Sequence, residues 1–175
     1  MRKKIDLKSD YSEIGHPGII QAIHNASLES HGTYGLDIHT EEAKTLIKQK
    51  IGRNDIDIHL IHGGTPANII NLSLMLRPYE SVVACDSGHI SVHETGAIEA
   101  TGHKINTVKN HDGKLKGEDI NTVLKEHHFE HMVMPRAVYI TQPSEYGVLY
   151  SRKELSAISL FCRENNLYGS RLLMF

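Results

Sequence analysis

From residue 56 onward the chain alternates short apolar runs with amphipathic stretches. The runs at 56–62, 81–86, 104–108 and 137–142 are rich in Val, Ile or Ala and too short for helices, so they predict strands. The stretches at 67–76, 91–100, 116–128 and 151–164 carry the helical period. In the third of these, Ile120, Val123 and Leu124 recur at the spacing of one buried face. The resulting order, β-α-β-α-β-α-β-α, predicts an α/β fold: a mostly parallel sheet with flanking helices. Residues 1–40 break the pattern at Gly15, Pro17, Gly32 and Gly35 and read as an N-terminal arm. A helix over 41–51 follows, and residues 41–175 are expected to form one structural unit. No internal repeat or low-complexity segment is present.

Composition narrows the class of protein. Apolar residues make up 39% and charged residues 23%, with a formal net charge of −2, so neither a polyanion-binding surface nor a nucleic-acid partner is expected. Met1-Arg2-Lys3-Lys4 has the charge of a signal-peptide start, but no apolar run follows it, and no later segment has the length to span a bilayer. The expectation is a cytoplasmic protein with no membrane partner. Cys85 and Cys162 fall in a predicted strand and a predicted helix and read as reduced, buried thiols. The 13 histidines include His89-x-x-x-His93-Glu94 and His127-His128-x-x-His131. Neither cluster matches His-Glu-x-x-His and no cysteines stand at metal-ligand spacing, so no metal site is expected.

The chemistry-bearing junction is at Gly63-Gly64-Thr65, where the first predicted strand stops and a helical pattern begins. Unpaired N–H groups and the positive end of a helix dipole converge there, which builds a seat for a phosphate. The glycines admit close approach, Thr65 can cap the helix or donate its hydroxyl, and Pro66 suits a first turn. A plain turn with an N-cap satisfies the same three residues. In open parallel sheets, ligands gather at the carboxyl ends of the strands. Residues 63–65, 86–89 and 143–145 all fall at such ends, and one pocket could collect them.

Five segments in the same order resemble the L-threonine aldolase and β-eliminating lyase branch of the pyridoxal-phosphate enzymes. They are IDLKSDYSEIGHP at 5–17, YGLD at 34–37, HGGTPAN at 62–68, GHISVHETGAIEATGHK at 88–104 and QPSEYGVLY at 142–150. The resemblance implies a partial large domain of the type I pyridoxal-phosphate-dependent transferase fold over 41–175, with pyridoxal 5'-phosphate as cofactor. It implies that Gly63, Gly64 and Thr65 hold the cofactor phosphate. His89 is similar to the histidine that stacks on the pyridine ring and handles a proton on the substrate hydroxyl, the catalytic role. Ser9, Tyr34 and Arg171 correspond to substrate-binding positions, and the loop of Tyr34 and Asp37 often lies across a subunit boundary, so a homo-oligomer is expected. Glu94 resembles the acid that follows the stacking histidine, and a solvated helix carboxylate is the other reading. The role of Glu145 is open.

The implied reaction is cleavage of a β-hydroxy amino acid to glycine and an aldehyde. A β-eliminating lyase of aromatic amino acids is the alternative within enzymes, and a non-catalytic truncated remnant is the alternative outside them. An unrelated nucleotide-binding domain is disfavoured by the absence of Gly-x-Gly-x-x-Gly. The sequence also departs from the family. Where the family has a strand ending in Asp-Gly-Ala-Arg, this chain reads Tyr168-Gly169-Ser170-Arg171, so the aspartate and most of that strand are expected to be missing. No lysine present has the context of the family's Schiff-base lysine. Little turnover is therefore expected of this chain alone. An uncovered sheet edge is expected to make it associate or dissolve poorly.

Overall fold

The computed structural model describes residues 15–109 and 112–173. The chain divides into two compact units, 1–60 and 61–175. The first contains α1 (Pro17–Ala26) and α2 (Ile38–Ile51). The first of these helices lies inside the segment read as an arm: Pro17 at its first turn and the His16 ring, which accepts the Gly18 N–H, start a helix that the nearby glycines concealed. α2 begins three residues earlier than predicted because the Asp37 carboxylate caps it, accepting from the Thr40 N–H at 2.8 Å and the Thr40 hydroxyl at 2.7 Å.

The second unit holds α3 (Gly64–Met75), β1 (Glu80–Cys85), α4 (His89–Val92), a 3-10 turn (Glu99–Thr101), β2 (Ile105–Val108), α5 (Gly117–Glu126), β3 (Met134–Gln142), α6 (Arg152–Glu164) and β4 (Tyr168–Leu173). The sheet order is β2-β1-β3-β4, all parallel. Alternation along β1 and β3 splits the core. Val83, Cys85, Val138 and Ile140 face α5 and α6, packing with Leu115, Ile120, Ile158 and Cys162. Val82, Ala84, Ala137 and Tyr139 pack with Leu72, Leu76, Ile90 and Ile98. Burial on both faces is why these strands read as continuous apolar runs. Cys85 and Cys162 are both buried and unpaired, as expected.

Three sequence expectations are corrected. Residues 57–61 form no strand, because an alternating pattern becomes one only beside a neighbour, and none of the described strands pairs with it. Residues 91–100 are not one helix. After the single turn of α4 the chain turns through Thr95 (φ 51°) and Gly96 (φ 75°), left-handed conformations that end helical propagation. The strand expected to be missing is present: β4 pairs with β3 from Ala137↔Tyr168 to Gln142↔Leu173. Gly169, Ser170 and Arg171 are weak strand formers, and the ladder offered by β3 outweighs their propensity.

α6 is fixed at its start by a capping box, with Ser151 and Glu154 bonding each other's backbone N–H groups at 3.2 and 2.7 Å. Glu154 also receives the Lys114 ammonium at 2.5 Å. That bond, with those of Ser151, lowers its carboxyl from the ordinary 4.5 to about 2. A carboxyl depressed on folding adds stability above its unfolded value and loses it as the pH falls toward the folded one. Glu154→Gln should therefore lose less stability than the parent between pH 4.5 and about 2. Urea midpoints across that range are the measurement, and parallel acid profiles would rule the effect out.

Candidate active site

The chain runs from β1 to β2 on one side and from β2 to β3 across it, so the topology switches direction between β1 and β3. The crevice outside the carboxyl ends of such a strand pair is the natural ligand position. A cleft of about 340 Å³ lies there, lined by Asp86 and Ser87 after β1, Val92 and His93 from α4 and the residue after it, and Glu145 and Tyr146 after β3. Among the described residues, no lysine lines it.

Each wall has a local cause. After β3 the chain turns through a cis Gln142–Pro143 peptide, and the Gln142 amide clamps Tyr150 by accepting its N–H at 3.0 Å and donating to its carbonyl at 3.2 Å. The Ser144 hydroxyl donates to the Asp112 carbonyl at 2.9 Å and accepts the Val148 N–H at 3.2 Å. Gly113, at φ 71°, passes so close to Ser144 that a Cβ there would stand 3.1 Å from the serine Cβ. Glu145 is thus held on a braced loop.

The N-terminus of α3 is capped by Gly63 without any side-chain hydrogen bond. This corrects the capping role expected for Thr65, which is the second residue of the helix. The N–H groups of Gly64 and Thr65 stay available, while Pro66 has none and that of Ala67 donates to the Gly63 carbonyl at 3.2 Å. Gly63 has extended backbone, φ 173°, and a Cβ built on Gly64 meets nothing within 4 Å. The fold itself does not require glycine at 64.

One turn into α3, buried Asn68 donates from Nδ2 to Glu94 Oε1 at 2.5 Å and, at 3.4 Å, to the Tyr139 hydroxyl. The same Glu94 oxygen lies 2.8 Å from His89 Nδ1. A carboxylate acceptor fixes the imidazole tautomer with hydrogen on Nδ1, leaving Nε2 as a base. Glu94 is no solvated helix carboxylate: its side chain is fully buried, because the left-handed turn at Thr95 and Gly96 directs it inward. Its Oε2 has no partner among the described residues, and neither does Glu145 Oε1, also buried. His93 Nε2 lies 3.7 Å from Glu145 Oε2, and the His89 and His93 rings are 5.6 Å apart. Tyr139 is raised above the ordinary phenol value, first by burial and then by the charges of Glu94 and Glu145.

The cleft therefore collects two of the three expected strand-end loops. Gly63, Gly64, Thr65 and His89 do not line it; Asn68, one turn beyond the glycines, is tied through Glu94 to His89, whose ring lies 5.6 Å from that of the lining residue His93. Tyr34 is almost wholly exposed in the first unit at φ 60°. Ser9 lies outside the described residues. The backbone of Arg171 pairs with Ile140, and its side chain lies outside the described ones. Sequence reasoning missed Asn68 and Tyr139. Asn68 stands four residues after Gly64, on the same helical face, which was the available signal.

A parallel α/β sheet with a histidine–carboxylate pair at its switch point and an uncapped helix N-terminus tied to it has the layout of a ligand-binding α/β domain. The chain belongs to the beta-eliminating lyase family, whose model matches residues 6–170. It is 34% identical over 143 residues to the low specificity L-threonine aldolase of Pseudomonas sp. (strain NCIMB 10558), covering 79% of this chain and 41% of that one. The threonine aldolase of Leishmania major superposes with a TM-score of 0.90 at 47% identity, over 93% of this chain and 48% of that one. The fold is shared with the PLP-bound C-S lyase of Staphylococcus hominis, with a TM-score of 0.61 at 14% identity, over 88% of this chain and 39% of that one. The chain thus spans about two fifths of the curated relative it matches.

Proposed function

We propose that these residues form the phosphate cradle and ring-binding wall of a pyridoxal-phosphate-dependent lyase that cleaves a β-hydroxy amino acid to glycine and an aldehyde. The observation that carries this reading is the chain Asn68–Glu94–His89, which ties the uncapped start of α3 to a histidine at the switch point. The start of α3, which has no side-chain cap, fits a phosphate, and the partnerless buried carboxylate oxygens of Glu94 and Glu145 are acceptors for a donor group. When bound, the cofactor supplies a sink for the electrons released as the substrate's Cα–Cβ bond breaks. The N–H groups of the first turn of α3 and the Thr65 hydroxyl bind the phosphate. His89 packs on the ring, and its Nε2 takes the proton of the substrate hydroxyl while Glu94 holds the opposite nitrogen. Ser9, Tyr34 and Arg171 are assigned to substrate binding on the family resemblance, as is assembly into a homo-oligomer. The identities of 34% and 47% to threonine aldolases favour aldol cleavage over β-elimination.

Titrating the purified chain with pyridoxal phosphate, followed by absorbance, tests the cradle. Saturable binding that inorganic phosphate displaces is expected. Gly64→Ala should weaken it about tenfold, because the new methyl occupies the phosphate's approach, while the thermal midpoint stays put. Binding indifferent to phosphate and to Gly64→Ala would sink the assignment.

A further inference from the structure

In the first unit, Glu29, His31 and His39 bring one ligand atom each within 4.8 Å of the others. Glu29 Oε2 lies 3.6 Å from His31 Nε2 and 3.4 Å from His39 Nε2. A tetrahedral ion with bonds of 2.0–2.1 Å has ligand–ligand edges of roughly 3.3–3.4 Å, so both separations are close to those of a shared metal. The rings meet at 64° with centroids 4.9 Å apart, so their edges converge and their faces do not stack.

We propose that Glu29, His31 and His39 form a site for a divalent transition metal ion, zinc by the chemistry of its donors. Two imidazole nitrogens and one carboxylate oxygen are a borderline-soft set that zinc favours and magnesium or calcium does not. The backbone prepares the geometry. The Glu29 N–H donates to the Ala26 carbonyl at 3.1 Å, which fixes the exit from α1, and the Asp37 cap fixes where His39 leaves the first turn of α2. The other nitrogen of His39, Nδ1, faces Glu42 Oε2 at 3.9 Å, the arrangement in which an outer carboxylate orients a ligating imidazole. His31 Nε2 also lies 3.1 Å from the Ala26 carbonyl, so ligation exchanges that hydrogen bond for the metal. Without an ion the cluster is a poor ion-pair network. Two protonated imidazoles would crowd one carboxylate oxygen, and exposed pairs of this kind contribute little. A cation at the centre makes all three contacts attractive, and a fourth position stays open to water. The metal would close the connection between α1 and α2 into a loop.

The test is titration of the tag-free chain with cobalt(II), whose visible bands report coordination and stoichiometry, and with zinc against a chelating dye. One equivalent is expected to bind at pH about 7.5 and to be removed by excess chelator. His31→Ala and His39→Ala should each weaken zinc by tenfold or more, Glu42→Gln by less, and His127→Ala and His131→Ala not at all. All three ligands are exposed at least in part, so these variants should keep the parent's circular dichroism. Absence of binding in excess metal, or an affinity that survives His31→Ala combined with His39→Ala, overturns the proposal. Phosphate-sensitive binding of pyridoxal phosphate is read separately and stands or falls without it.

Discussion

Replacing Glu94 by alanine is expected to lower the unfolding free energy by about 2–4 kcal/mol and to free the His89 ring. The carboxylate is fully buried and receives two donors on one oxygen, Asn68 Nδ2 and His89 Nδ1. Removal leaves the Asn68 amide buried with only the long contact to Tyr139. His89 is about one quarter exposed, so water recovers part of its loss, and deleting the partnerless Oε2 relieves a further part. Both offsets keep the cost below that of breaking a fully enclosed pair. Glu94→Gln retains one acceptor oxygen and should recover most of the stability. It leaves His89 without a carboxylate, so the imidazole tautomer is no longer fixed. Urea midpoints give the first quantity and nitrogen chemical shifts of the ring the second. An alanine variant within about 0.5 kcal/mol of the parent would mean that the pair does not hold the site together.

Tyr139→Ala should be the more damaging change, costing about 3–5 kcal/mol, because it removes a ring from the centre of the face packed by Leu72, Ile90 and Ile98. Tyr139 is only 2% exposed. The strand that carries it pairs on both sides, with β1 and β4, so the backbone has little freedom to close the cavity. Tyr139→Phe separates packing from the hydroxyl. The hydroxyl is met by the Asn68 amide at a long 3.4 Å, so the phenylalanine variant should lose less than about 1 kcal/mol. A phenylalanine variant as unstable as the alanine one would show that the hydroxyl matters more than the ring.

Much of this architecture was legible in the chain because parallel strands buried on both faces leave dense apolar runs. β1 at Glu80–Cys85 and β2 at Ile105–Val108 fall within a residue or so of their expected places, and β3 begins three residues earlier than expected. The reading failed where pairing overruled local pattern. Residues 57–61 alternate correctly and form no strand, whereas Tyr168–Leu173 alternate poorly and form one. Within the site, His89 could be picked out as following a strand end and the glycine junction as a helix start, although no strand precedes it among the described residues. Glu94 could not be distinguished from a surface acid, since only the turn at Thr95 and Gly96 sends it inward.

By itself, the sequence determined the alternation of strands and helices from β1 onward, the glycine start of α3 and the family, because hydrophobic period and local turn chemistry are carried by neighbouring residues. Only the tertiary structure decided the order β2-β1-β3-β4, which creates the switch point and puts residues after β1 and β3 into one cleft. It also decided that Asn68, Glu94 and Tyr139, up to 71 residues apart, meet in one buried network. Such contacts depend on which strands become neighbours, a property of the folded ladder that no short window of sequence contains.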